Sequence, residues 1–385
     1  MHFDDHIQHA LSDLKSRGLL RRARAVSGAQ GPRLVVDGRE VLCLCSNNYL
    51  GLADDPALAD AALRATREEG FGAGASRLIS GSMQAHAALE SALAEFLGYD
   101  DAALFTSGYA ANVGTLQGLV GRGDIIFSDS LNHASLIDGA RLSRAKIVVF
   151  NHADADDLES KLNAHRAEGR AALVVTESLF SMDGDTPPLA RIADLALQHE
   201  AALVVDEAHA LGVFGREGRG LCEQLSVRPD VVVGTLGKAF GVQGAFVASS
   251  EPAIRLLRNR SRSYVFSTAP AAPVARVALA ALERVRQGDS ARARLLDHAA
   301  HLRAGLQSLG YDVPDGDSQI IPLIVGDPEP TMSLSLALLE NGVFAHGIRP
   351  PTVPPGTGRL RIVPMASHTR GEIDHALAVF AAVRR

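Results

Sequence analysis

Through the middle of this 385-residue chain, short apolar runs rich in β-branched residues take turns with helical stretches. Runs of strand length occur at 124–127, 147–150, 172–175, 202–205, 230–233 and 244–248. Between them lie 154–168, which opens on aspartates suited to capping, and 189–200. Alternation of this kind predicts an α/β fold: a mostly parallel sheet covered by helices on both faces. In such sheets ligands gather beyond the carboxyl ends of the strands, so polar residues placed there are the first candidates for a site.

The rhythm changes toward both ends. A long helical stretch is expected over 271–309, followed by a strand at 320–325, a helix near 333–339 closed by Asn341-Gly342, a strand at 359–363 and a final helix. The first forty or so residues hold an arginine-bearing helical segment and a hairpin signal at Asp37-Gly38. The predicted division is an N-terminal arm over 1–45, a large domain over 46–285 and a smaller α+β domain over 286–385. Hydrophobic residues at 46% and charged residues at 21% suit a compact globular chain. A net charge of −6 provides no field to gather nucleic acid or anionic lipid, although Arg21, Arg22 and Arg24 can hold a small phosphorylated ligand. Three cysteines are too few for a disulfide framework, and Cys43-Leu44-Cys45 lacks the second pair of a zinc site, so no metal is expected. No run of eighteen apolar residues occurs, and the expectation is a cytoplasmic protein with no membrane partner.

Three matches to familiar short motifs mislead. Asp206-Glu207-Ala208-His209 spells a helicase box, but Gly234-Thr235-Leu236-Gly237-Lys238-Ala239 lacks the spacing and the Ser/Thr of a phosphate-binding P-loop. Gly70-Phe71-Gly72-Ala73-Gly74-Ala75 resembles a dinucleotide glycine pattern, yet it follows a helical stretch where that fingerprint requires a strand.

The informative pair is Asp206 and Lys238, each at or just past the end of an apolar strand. Singly, one reads as a solvated strand-end acid and the other as a surface-turn lysine. Together they meet two demands of pyridoxal phosphate: a lysine that bonds the cofactor aldehyde, and an acid that keeps the pyridine nitrogen protonated. His209, three residues after Asp206, is placed to reach the phenolate oxygen, and Thr235, three before Lys238, to hold the phosphate. Ser107-Gly108-Tyr109 combines a small residue with a helix start, which suits a phosphate bound by backbone amides. His133, in Asn132-His133-Ala134-Ser135, is a candidate to lie on the ring, although a lone histidine is more often structural.

These residues carry a family likeness. The chain resembles the α-oxoamine synthases among the fold-type-I pyridoxal-phosphate transferases, through Ser46-Asn47-Asn48-Tyr49-Leu50-Gly51-Leu52, Ser76-Arg77-Leu78-Ile79-Ser80-Gly81, Asn132 to Gly139, Ser181-Met182-Asp183-Gly184-Asp185, Asp206 to His209 and Gly234 to Lys238. Ile348-Arg349-Pro350-Pro351-Thr352-Val353-Pro354 is most similar to the branch that makes 8-amino-7-oxononanoate from L-alanine and a pimeloyl thioester in biotin formation. The resemblance implies a catalytic set of Lys238, His133, Asp206 and His209. It adds Ser181 to a cofactor pocket that also holds Gly108, Tyr109 and Thr235, and a homodimer in which Ser267 or Thr268 of one subunit reaches the other's phosphate. It implies that Asn47 and Arg349 hold the substrate carboxylate, with Thr352 and Arg21 in the substrate region. Whether coenzyme A or a carrier protein brings the acyl group stays open. So do a glycine- or serine-using branch and an aminotransferase of the same fold. A non-catalytic partner subunit is disfavoured by the presence of Lys238.

Overall fold

The computed structural model describes residues 2–384. Met1 and Arg385, which bound the predicted arm and small domain, lie outside the described residues. The chain divides into two compact units: residues 50–181 with 185–292, and residues 2–49 with 182–184 and 293–384.

The first unit is built on a seven-stranded sheet. Its order is Asp101–Phe105, Ala245–Ser249, Val231–Thr235, Ala202–Asp206, Ala172–Glu177, Ile125–Asp129 and Lys146–Phe150. Ala245–Ser249 runs antiparallel to both neighbours and every other adjacent pair is parallel. Alternation along the strands sorts their side chains into two cores. Ile126, Leu173, Val175, Val204, Val231 and Val233 pack with Ala111, Leu116, Leu136, Ala140 and Leu257 on one face. Phe127, Val174, Leu203 and Val205 pack with Leu158, Leu162, Ile192 and Leu195 on the other. The period of two carries Glu177, Asp206 and Thr235 onto the first of these faces, which is covered by the helices Gly108–Leu119, Ala134–Ser143 and Glu251–Arg260.

Gly108–Leu119 crosses its neighbours at unusually close range. A β-carbon on Gly114 would lie 2.1 Å from Ser261 Oγ, and one on Gly118 2.7 Å from Leu257 Cδ2.

In the second unit, the strands Arg33–Val36 and Arg39–Cys43 form a hairpin through Asp37 and Gly38, both at positive φ, as the sequence signal predicts. They join Val26–Ser27 and Val343–Phe344 in a four-stranded sheet. A three-stranded sheet pairs Ile321–Gly326, Gly358–Ile362 and His346–Ile348, backed by Leu302, Leu306, Leu338, Ile373 and Phe380.

The continuous helix expected over 271–309 is two helices, Ala272–Arg286 and Asp289–Ser308. The chain turns at Gln287-Gly288, where the Arg292 guanidinium donates to the Val285 carbonyl at 2.6 Å and satisfies the end of the first helix. The helix expected near 333–339 begins earlier, at Pro328, because proline suits the first helical turn.

Candidate active site

The predicted cofactor residues from Gly108 to Lys238 each stand at or just beyond the carboxyl end of a strand of the first unit's sheet. Asp206 is the last residue of its strand and pairs in register with Glu177 on one side and Val233 on the other. It is buried, and its carboxylate accepts from Asn112 Nδ2 at 2.6 Å and from the Ala208 amide at 2.8 Å. Three residues on, buried His209 places Nε2 2.8 Å from Lys238 Nζ. The turn that follows Val231–Thr235 therefore aims its lysine back across the end of the neighbouring strand.

Thr235 and the helix Gly108–Leu119 form a second group. The helix is capped by Ser107, whose Oγ accepts from the Ala110 amide at 3.1 Å, and its first amides, on Gly108 and Tyr109, have no partner within the helix. A β-carbon on Gly108 would sit 3.9 Å from Thr235 Oγ1, so the helix end and the threonine hydroxyl face one small space. The helix dipole and its first amides suit an anion there, while the Thr235 hydroxyl donates to the Gly244 carbonyl and accepts from the Gly237 amide, each at 3.2 Å. The Tyr109 hydroxyl is engaged elsewhere, donating to Asp138 at 2.5 Å.

His133 caps the helix Ala134–Ser143, its Nδ1 accepting from the Ser135 amide at 3.2 Å and meeting Ser135 Oγ at 2.7 Å. Its own amide donates to Glu177 Oε1 at 2.6 Å. Partial burial holds the imidazole below its ordinary pKa; the Asp206 charge opposes that shift and the Lys238 charge adds to it. Burial first, and the adjacent Asp206 second, push the Glu177 carboxyl well above its ordinary pKa. Thr268, exposed, forms an isolated antiparallel bridge with Ser76, and half-buried Ser267 precedes it.

These residues fit pyridoxal phosphate on their donor set: a lysine beside a histidine, a buried carboxylate fixed by two donors, and a phosphate cradle at a helix start. Asn112 Oδ1, buried next to Asp206 with no hydrogen-bond partner among the described residues, marks an unsatisfied polar group at the same place.

The predicted substrate residues lie in the second unit and form two groups there. Asn47 Oδ1 accepts from Arg361 at 2.9 Å and from the Tyr49 hydroxyl at 3.2 Å, and Arg361 also meets Tyr49 Oη at 3.3 Å. Arg349 is buried, donates to the Leu20 carbonyl at 2.7 Å and lies against Met332 Sδ, while its Nε has no partner among the described residues. Arg21 reaches the Pro350 carbonyl at 3.4 Å and Thr352 Oγ1 at 3.5 Å, so Arg21, Arg349 and Thr352 form one cluster. Burial first, and the Arg21 charge second, lower the Arg349 pKa, as expected for crowded cations that favour an anionic ligand.

Sequence reasoning missed Asn112, Glu177, Ser135 and Arg361. Arg359 and Arg361 alternate along a strand that is buried throughout, which is itself a signal.

Comparison with known proteins accords with this geometry. The family model for aminotransferase class I and II matches residues 39–380. The chain is 50% identical over 377 residues to an 8-amino-7-oxononanoate synthase of Geobacter sulfurreducens, covering 97% of this chain and 96% of that protein. It is 48% identical over 381 residues to one of Anaeromyxobacter dehalogenans, covering 98% and 95%. Among solved structures, a serine palmitoyltransferase from S. paucimobilis with a bound PLP-myriocin aldimine matches with a TM-score of 0.93 at 33% identity, covering 98% and 96%. An 8-amino-7-oxononanoate synthase from Francisella tularensis matches with a TM-score of 0.76 at 27% identity, covering 89% and 98%. Among the described residues, no helix is long and apolar enough to cross a membrane. The chain belongs to the aminotransferase class I and II family of pyridoxal-phosphate enzymes, among its 8-amino-7-oxononanoate synthases.

Proposed function

We propose that this enzyme joins L-alanine to a pimeloyl thioester, releasing carbon dioxide and free thiol and forming 8-amino-7-oxononanoate for biotin synthesis. The observation that carries the reading is the row of groups at adjacent strand ends, with Lys238 Nζ 2.8 Å from His209 and Asp206 clasped by Asn112. Half the residues are shared, over nearly the whole chain, with proteins of that name.

When bound, pyridoxal phosphate supplies an aldehyde that captures amines and a protonated ring that accepts an electron pair. Asp206 holds the proton at the ring nitrogen, and Asn112 and the Ala208 amide hold Asp206 in place. His209 would meet the phenolate oxygen and His133 the ring face, with Ser181 in the same pocket. Thr235 and the Gly108 and Tyr109 amides take the phosphate. Lys238 Nζ removes the proton from the α-carbon of L-alanine. That carbon bonds to the thioester carbonyl carbon, the thiol leaves, the carboxylate departs as carbon dioxide, and Lys238 returns a proton.

Arg349 and Asn47 hold the alanine carboxylate, which fixes the α-bond that stands perpendicular to the ring. Arg21 and Thr352, in one cluster with Arg349, belong to the substrate region, and Arg21 is one candidate for the cation that the far carboxylate of the pimeloyl chain requires, a charge costly to bury unpaired. On this reading residues 46–285 carry the cofactor and the substrate contact Asn47, and the segments 1–45 and 286–385 supply Arg21, Arg349 and Thr352. The enzyme works as a cytoplasmic homodimer, with Ser267 or Thr268 reaching the phosphate of the other subunit.

The test is a panel of amino acids against acyl thioesters, on coenzyme A and on carrier protein, with carbon dioxide and thiol release measured together. Alanine with pimeloyl thioester should have the highest kcat/KM. Faster turnover of glycine with an acetyl or succinyl thioester, or of serine with palmitoyl thioester, would move the enzyme to another branch. Transamination without thiol release would remove it from the acyltransferases.

A further inference from the structure

His152, directly after the strand Lys146–Phe150 and Asn151, stands between two carboxylates. Its Nδ1 lies 2.9 Å from Asp129 Oδ1 and its Nε2 2.8 Å from Asp185 Oδ2. An ionised carboxylate only accepts, so both ring nitrogens carry hydrogen and the ring is an imidazolium. Phe180 meets it edge-on, with ring centroids 4.3 Å apart. Burial alone would disfavour that charge, but the two carboxylates outweigh it and push the pKa up to about 10.

Both acids lie on segments that carry residues assigned to the site. Asp129 is fully buried and also accepts from the amides of Leu131 and Ala153, the latter at φ +54°. It thereby shapes the 129–133 turn that delivers His133. Asp185 closes the segment that begins at Phe180, whose amide donates to the Asp185 carbonyl at 2.9 Å, and Ser181 lies inside that closure.

We propose that His152 is a positioning residue for this site: clamped between Asp129 and Asp185, it ties together the turn that presents His133 and the segment that presents Ser181. It touches no reacting atom and acts through those two residues, so the proposal rests on their assignment to the site. A small displacement of either would cost turnover, because reacting groups must be held within a fraction of an ångström.

A double-mutant cycle on the holoenzyme tests this, with H152Q combined with H133A and S181A, and with kcat, KM for L-alanine and bound cofactor measured per chain. H152Q should lower kcat about tenfold at nearly unchanged KM and full cofactor content, and the loss should shrink below about twofold in the H133A/S181A background. Wild-type kcat in H152Q, or an undiminished loss in that background, would overturn the proposal while leaving the site intact. Wild-type kcat in H133A and S181A themselves would instead remove the site assignment, and the proposal with it. D185N, whose side chain is 40% exposed, covers the case in which H152Q fails to fold. It weakens the clamp from its rim and should lower kcat about threefold, and unchanged kcat there counts against the clamp.

Discussion

Lys238 is assigned two tasks, bonding the cofactor aldehyde and moving the α-proton, and one substitution removes both while leaving the rest of the cofactor site. In K238A the anchoring groups Asp206, His133, Thr235 and the Gly108 helix end remain, so cofactor should still bind and show its visible absorption, while kcat falls by roughly a thousandfold or more. Borohydride reduction of the wild-type holoenzyme followed by peptide mapping should place the reduced cofactor on Lys238; another labelled lysine would refute the assignment. Lys238, Asp206, His209 and His133 were legible because each is a chemically specific residue just where an apolar run stops. Asn112 was not, because its partner is 94 positions away and only the closed sheet sets the helix over that strand end. Glu177 was hidden for a similar reason: a strand-end glutamate looks solvated until the register sets it against Asp206.

At the scale of elements, the six predicted strands all formed, with ends displaced by one or two residues. Ala172–Glu177, Ala202–Asp206 and Val231–Thr235 run past the apolar runs that announced them, because their polar last residues still pair in the ladder. Hydrophobic periodicity reports which side chains are buried, and hydrogen bonding decides where the strand ends. The turn before the last helix, Arg370–Val383, carries a measurable consequence. His368 is buried there, its Nδ1 accepting from the Met365 amide at 2.8 Å and its Nε2 lacking a partner among the described residues. Burial, opposed by Glu372 and aided by His298, pushes its pKa down to about 4. An unfolded histidine takes its proton near pH 6.5, so between these values the unfolded chain binds the extra proton and folding weakens as pH falls. The penalty approaches roughly 3 kcal/mol below pH 4. Urea unfolding at pH 7 and pH 4.5 should show it, and H368N should lose about 2 kcal/mol less than wild type over that interval.

For the whole molecule, the alternation of strands and helices foretold the parallel sheet, whereas the single antiparallel strand Ala245–Ser249 gave no local sign, since direction is set by the connections and not by side chains. Assembly is testable by mixing two inactive proteins, K238A and a Ser267/Thr268 double alanine variant. If each site draws on both chains, re-associated dimers should recover up to about a quarter of wild-type activity, from the one correctly completed site in mixed pairs. A fully active monomer in sedimentation would contradict the shared site. The close crossing at Gly114 and Gly118 bears on how such an enzyme diverges over time. A side chain at Gly114 would drive into Ser261, Ser263 and Phe105 and push away the helix that carries both Gly108 and Asn112, whereas one at Gly118 would first meet the tip of the Leu257 side chain. Gly72, in the tract that imitates a nucleotide fingerprint, meets nothing within 4 Å of an added β-carbon. Sequence drift is therefore open at Gly72 of the glycine motif that catches the eye, though not at Gly70 and Gly74 beside it, both at φ +77°, and it is closed at Gly114, which no motif contains.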